Sequence, residues 1–411
     1  MRRSKIDSVI ALLLELYFIY IFFYGVVIKV TFSNRILFSL KTYIPEALLT
    51  LVCVCAALKK NRINKSAFFM MVVYLSVFGL NLLTSFSSNS FMMTVRDVLI
   101  PIVVGFMLAT IKLDKQSAES FFRKMTFFCY IALLAGMIIG VMQYSHDWQW
   151  TSSWYTGYPF WGEDARSSMY IMTTGSHVRV PSITGHNVKF AMYSFFQFLF
   201  IACFYGYKTK KRNQFIPITS LIMMLINVFL SNNKTTLVII FFIFAFYLMN
   251  KFKSRSRVIV CVAFIAIGMY VYYEASTSSD FLLSFYDRFS KWSVLKDPAM
   301  LRNIILPIST YNFAGNSATE IPVLNYWDNT YFYFLFSFGA VGVIALINWL
   351  KKLYSAIQNS KKDRNVKMFI TFITVFAALA ACTTSIVLGR CFFNVYIIAM
   401  TYFYALEEDF D

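Results

Sequence analysis

Apolar runs, several of them about 18 residues or longer, recur along the whole chain, with short polar and basic stretches between them. A helix of that length crosses a hydrocarbon core of about 30 Å. The pattern predicts twelve spans, over residues 8–30, 43–58, 67–86, 97–111, 125–144, 188–207, 215–230, 235–250, 258–273, 329–350, 368–387 and 389–406. The short alternating strands of a membrane β-barrel are absent from the pattern. Two long segments interrupt it, residues 145–187 and 274–328. Loops of such length in a compact protein are usually functional. They follow the fifth and ninth predicted spans, which are not equivalent places in two halves, and no repeat of fixed period is present; both points weigh against a two-repeat transporter. The expected fold is therefore all-α: one integral membrane domain over residues 1–411 with two long loops on one side.

Composition narrows the class. Of 411 residues 58% are hydrophobic and only 14% charged, with 45 Phe and 26 Tyr. A soluble globular domain carries about 25% charged residues, so a soluble enzyme is excluded, as is a disordered chain. The net charge of +18 would suggest nucleic acid in a soluble protein. Here the basic residues follow topology instead. With the N-terminus inside, alternate connections hold Arg2, Arg3 and Lys5, then the groups around Lys59, Lys112, Lys208, Lys251 and Lys361, together 25 of the 38 Lys and Arg. This bias predicts that both termini are cytoplasmic and that both long loops face outward. The basic start followed by an apolar run to Val30 is too long for a signal peptide and lacks a small-residue cleavage site, so it reads as a retained first span. Seven cysteines, odd in number and without CxxC spacing, imply neither a disulfide framework nor a zinc site.

The most specific motif is Asp328-Asn329, nine residues, Gly339, two residues, Gly342. It resembles a signature of the O-antigen ligase and polymerase superfamily, in which the ligases usually carry His where this chain has Asp328. Three weaker matches follow the same order. They are Arg179 ahead of Gly185-His186-Asn187; the turn Ser231-Asn232-Asn233-Lys234, with Lys in place of the family's Arg; and Arg302 upstream of a turn around Gly315, with Arg288 a looser relative. The resemblance covers about residues 177–342. The N-terminal third matches only as a set of hydrophobic spans.

What the resemblance implies is a metal-independent, lipid-carrier-dependent glycosyltransferase with no cofactor, similar in fold to the GT-C type. It would join repeat units carried on undecaprenyl diphosphate at the outer face of the bacterial plasma membrane, as in capsule or cell-envelope polysaccharide biosynthesis. Asp328 would take the proton of the acceptor hydroxyl, with His186 as the alternative base. Arg179, Lys234 and Arg302 would hold the diphosphate, with Arg288 and Lys189 in reserve, because cations near the leaving group stabilise the charge that develops on it and the Arg fork suits phosphate oxygens. The implied partners are the lipid-linked oligosaccharide, the bilayer, and flippase and chain-length regulator proteins; nucleic acid is not among them. Two alternatives stay open: a ligase with another acceptor, and a polysaccharide or lipid-linked oligosaccharide exporter.

Blander readings compete at several positions. Asp328, Asn329 or Thr330 can each serve as an N-cap. Lys189 and Arg288 can reach outer lipid phosphates. Arg96-Asp97 reads as a local pair at the mouth of the fourth span. Glu15 and Glu46 are scattered carboxylates and form no proton path. Trp148, Trp150, Trp154 and Trp161 suit an interfacial belt better than a sugar-stacking platform. Glu163-Asp164 is not a DxD metal motif, and no Walker sequence or Ser nucleophile elbow is present.

Overall fold

The structure is a computed structural model that describes residues 2–31, 34–59, 65–84, 94–145, 173–174, 177–206, 214–251, 329–383, 386 and 391–406. The described chain is an all-helical membrane protein. In order it forms α1 (Arg2–Phe22), α2 (Tyr24–Thr31), α3 (Arg35–Leu40), α4 (Ile44–Ala57), α5 (Lys65–Thr84), a π-helical turn (Val95–Leu99) running into α6 (Ile100–Ala109), and α7 (Lys115–Ser145). After two paired two-residue strands, β1 (Thr173–Thr174) and β2 (His177–Val178), and a 3₁₀ turn (Ser182–Thr184), it continues with α8 (Asn187–Phe204), α9 (Phe215–Leu230) and α10 (Lys234–Lys251). The last helices are α11 (Thr330–Asn359), α12 (Arg364–Thr383) and α13 (Phe392–Ala405).

Helices stand at eleven of the twelve predicted runs, and the remaining run, 258–273, lies outside the described residues. Among the described residues four helices are long and apolar enough to cross a membrane, within α7, α8, α11 and α12, and α1 with α2 makes a fifth if that bent pair is one span. Three local features depart from the pattern. The first run breaks at Phe23, where α2 bends by 72° from α1. Helix α7 starts at Lys115 rather than 125, because Asp114 caps it: the carboxylate accepts the Ser117 backbone N–H at 2.9 Å and the Ser117 hydroxyl at 2.7 Å. In α11, Gly339 does not serve simple close packing but breaks the helical path, at φ 69 and ψ 175. Phe338 then folds over Gly342, where a Cβ would lie 2.6 Å from its own, and the Gly342 carbonyl accepts the Tyr74 hydroxyl at 3.1 Å.

Helices α8 and α13 are buried along nearly their whole length and form the centre. Between them and their neighbours the phenylalanines interlock. Phe122 stacks on Phe204 at 4.5 Å and on Phe403 at 5.5 Å, and Phe369 meets Phe200, Phe204 and Phe403 at 5.5, 5.4 and 5.2 Å. Lipid tails are as apolar as these rings, so burial alone gains little; shape-matched ring pairs, worth about 0.5–1.5 kcal/mol each, carry more of the packing. The residues facing outward, such as Phe127, Ile138, Phe229 and Ile344, are apolar and exposed, as a lipid solvent requires.

Polar groups gather at the two ends. At one end Asp7 pairs with Lys59, whose ammonium also donates to the Lys112 carbonyl, and Asp7 accepts the Asp114 N–H at 3.2 Å. Leu113 forms a bridge with Leu406, and Lys362 donates to the Leu406 carbonyl. Glu15, isolated in the sequence pattern, faces Lys124 at 3.5 Å.

Candidate functional site

The other end is built on an irregular segment, residues 179–186, whose backbone conformation is held by contacts from three elements. Val180 N–H donates to the Leu230 carbonyl at 3.1 Å. Ser182 donates through its N–H to Gln143 at 2.9 Å and through its hydroxyl to the Gly136 carbonyl at 2.7 Å, both on α7. Gly185 takes the left-handed conformation, φ 74, and meets Gly25 of α2 so closely that a Cβ on Gly25 would lie 2.4 Å from the Gly185 nitrogen. This segment fixes where Arg179, His186 and Lys189 emerge.

The Lys234 turn sits against the same segment. Asn187 Nδ2 donates to the Ser231 carbonyl at 3.5 Å, Asn232 is left-handed at φ 47, and Asn233 accepts the Thr236 N–H at 3.0 Å, capping α10. Lys234 is exposed in the first turn of that helix. Two of the basic motifs picked out by sequence, far apart along the chain, thus come from segments hydrogen-bonded to one another.

His186 is the N-cap of α8. Its Nδ1 accepts the Val188 N–H at 3.3 Å, which places the proton of the neutral ring on Nε2. Burial, with the Lys189 and Arg179 charges behind it, pushes the imidazole down to about 3. A ring so placed is a weak base whose basic nitrogen is already engaged; its free capacity is an Nε2–H donor. The depressed value also has a stability consequence. From about pH 6.5 down to about 3 the unfolded chain binds a proton here that the folded chain does not, so the contribution is complete above 6.5 and declines as pH falls through that window. We expect His186→Asn, which keeps a good cap without a titrating group, to lose less melting temperature than wild type between pH 7 and pH 5 in detergent. An equal loss in both proteins would count against this placement.

At the start of α11 the cap is Asn329, whose Oδ1 accepts the Tyr331 and Phe332 N–H groups at 2.9 and 3.2 Å while its Nδ2 donates to the Cys382 carbonyl at 3.0 Å. Thr330 Oγ1 accepts the Ile386 N–H at 2.9 Å and the Ile386 carbonyl accepts the Phe393 N–H at 2.8 Å, so Ile386 ties the start of α11 to the start of α13. Of the three capping candidates, Asn329 holds that role. Asp328, Arg302 and Arg288 lie outside the described residues, as do the four tryptophans of the first long loop.

Sequence reasoning undervalued the groups beside these. The π-helical turn precedes Pro101, which has no N–H for the carbonyl four residues earlier and whose ring crowds it. On a regular helix adjacent residues point apart. In this wider turn Arg96 turns back on Asp97, with Nε–Oδ1 at 2.8 Å and Nη2–Oδ2 at 3.2 Å. Asp97 is 1% exposed, whereas the Arg96 side chain is 24% exposed. Glu46 and Tyr24 lie within electrostatic reach of Arg96, and the Tyr333 hydroxyl and Cys391 thiol within reach of Asp97. Lys189 also acts on Cys391, and its ammonium stands 6.0 Å from the Tyr24 ring. Charged and titratable groups of α2, α4, α8, α11 and α13 and the π turn are thereby linked by electrostatic reach at this end. The signal that could have found it was a carboxylate and an arginine at a span mouth four and five residues ahead of a proline. No protein-family model, curated protein or solved structure matches the chain.

Proposed function

We propose that the protein is a polysaccharide polymerase of the bacterial plasma membrane, with twelve spans, both termini cytoplasmic and the reaction at the outer face. It transfers oligosaccharide repeat units from undecaprenyl diphosphate to an acceptor glycan by inverting displacement at the anomeric carbon. The acceptor oxygen forms the new bond as the bond to the diphosphate breaks. Asp328 takes the hydroxyl proton, and the diphosphate leaves as an anion held by Arg179, Lys234, Arg302 and Arg288. The single observation that best supports this reading is the pairing of the Arg179 segment with the Lys234 turn, through Val180 to Leu230 and Asn187 to Ser231. It brings two basic motifs of the resemblance to one end of the bundle.

Flippase and chain-length regulator proteins are the partners this reading assigns. A ligase would use the same donor chemistry with another acceptor, and an exporter would use none of it. Purified protein incubated in detergent with a polyprenyl-diphosphate repeat unit should form a ladder of products without added nucleotide or metal. Quantitative recovery of the unreacted single unit from active, correctly folded protein would exclude the polymerase.

A further inference from the structure

We propose that Arg96 is a phosphate-binding residue of this end of the bundle, presented by Asp97, and that Lys189 and the His186 Nε2–H complete a subsite for the phosphate or diphosphate group of a lipid. The proposal rests on the reading of this end as the diphosphate-handling side, and adds to it Arg96 and Asp97, which no family motif marks.

Three observations carry it. The first is cost. Asp97 at the mouth of a span is taken out of water and Arg96 largely so, and a buried pair of this kind often stabilises a fold no better than apolar residues of the same volume. Its presence therefore calls for a use, and in a membrane protein the default use is a ligand or ion path.

The second is geometry. The pair sits within the π turn, and both of its contacts are short, 2.8 and 3.2 Å. Asp97 takes Nε and Nη2, which locks the guanidinium plane, and among the described residues nothing accepts from Nη1. Asp97 is sealed in while Arg96 retains access, so the arginine is the member of the pair that can reach a ligand. A guanidinium held on one edge by a carboxylate offers the rest of its fork to phosphate oxygens without the entropy cost of ordering a free side chain.

The third is company. Lys189 stands 6.0 Å from the Tyr24 ring, Tyr24 is within electrostatic reach of Arg96, and Cys391 is within electrostatic reach of both Lys189 and Asp97. His186, one turn before Lys189 on the segment pinned by Gly25, adds a neutral N–H donor. Two cations, one of them held by Asp97, and a neutral donor suit an anion better than a cation. A sugar alone would not call for two positive charges at one end of the bundle.

Binding of inorganic pyrophosphate, farnesyl diphosphate and phosphatidylglycerol to the full-length protein in detergent would test this by calorimetry, at two salt concentrations. Wild type is expected to prefer farnesyl diphosphate and to bind it more weakly at high salt. Arg96→Lys keeps the charge and loses the fork, so at least about a tenfold weaker binding is expected. Asp97→Asn leaves the cation but loosens it, and should fall between. Either single variant risks a buried unpaired charge, so the Arg96→Met, Asp97→Leu double variant carries the decision. It removes the pair together, and is expected to match or exceed wild-type melting temperature while losing the diphosphate. A well-folded double variant that binds farnesyl diphosphate as wild type does would overturn the proposal, as would equal binding by Arg96→Lys. Preference for pyrophosphate over farnesyl diphosphate would overturn the lipid part, and preference for phosphatidylglycerol the diphosphate part. Because binding is read without turnover, Arg96-dependent binding by a protein that forms no ladders would sustain this subsite while removing the polymerase reading.

Discussion

Asp328→Asn is expected to give a folded, membrane-inserted protein that makes product ladders at least about a hundredfold more slowly than wild type, since a positioned general base is worth about two to four orders of magnitude. The cap of α11 is Asn329, tied to Tyr331, Phe332 and Cys382, so the substitution leaves the helix start intact. That separates the two roles that the sequence alone leaves mixed. Asn at 328 cannot take a proton, and Asn329 next to it continues to hold the cap. Asp328→His, the residue of the related ligases, should restore part of the rate. The measurement is the initial rate of ladder formation beside the melting temperature of each variant. Wild-type rate in Asp328→Asn would send the base elsewhere. His186 would be a poor second choice, because its Nδ1 already accepts the Val188 N–H and its value sits near 3.

Gly25→Ala is expected to be the most damaging single methyl that can be added to the described chain near the site. Its Cβ would stand 2.4 Å from the Gly185 nitrogen, 2.8 Å from the Ile183 oxygen and 2.9 Å from the Gly185 Cα, all of them backbone atoms that no rotamer can move. Overpacking commonly costs about 1–3 kcal/mol, and a clash with backbone on both sides belongs at or above the top of that range. The strain would be relieved by lifting the 183–186 turn from α2, which carries His186 and Lys189 with it. Activity should therefore fall together with melting temperature, and limited proteolysis should open the chain near residue 180. Gly79, where an added Cβ meets nothing within 4 Å, is the matched control: Gly79→Ala should leave both unchanged. Normal melting behaviour in Gly25→Ala would mean that the two glycines do not touch in the membrane.

How far the sequence could be read depended on the range of the interaction behind each feature. Lipid solvation acts on every residue of a span, so apolar runs mark helices at eleven of twelve places without any knowledge of partners. Boundaries failed where a local cap extended a helix into polar sequence, as Asp114 does for α7. The break at Phe23 had no local marker, because its neighbour Gly25 is shaped by contact with residue 185. Gly339 was visible as a glycine, but whether it would serve packing or a kink could not be told from spacing.

The sequence by itself determined that this is a helical membrane protein, through composition and the length of its apolar runs, since both are properties of residues summed one at a time. It also placed Arg179 and His186 between helices, whereas Lys234, expected in a turn, begins α10. Only the tertiary structure decided what those residues do to one another. It joined residues 180 and 230 by a hydrogen bond, gave the caps of α8 and α11 to His186 and Asn329, and set Arg96 against Asp97 beside Tyr24 and Cys391. The physical reason is that charge, cap and clash act over a few ångströms. Which groups come within that distance depends on how helices far apart in the chain are packed, and no one-dimensional pattern contains that packing.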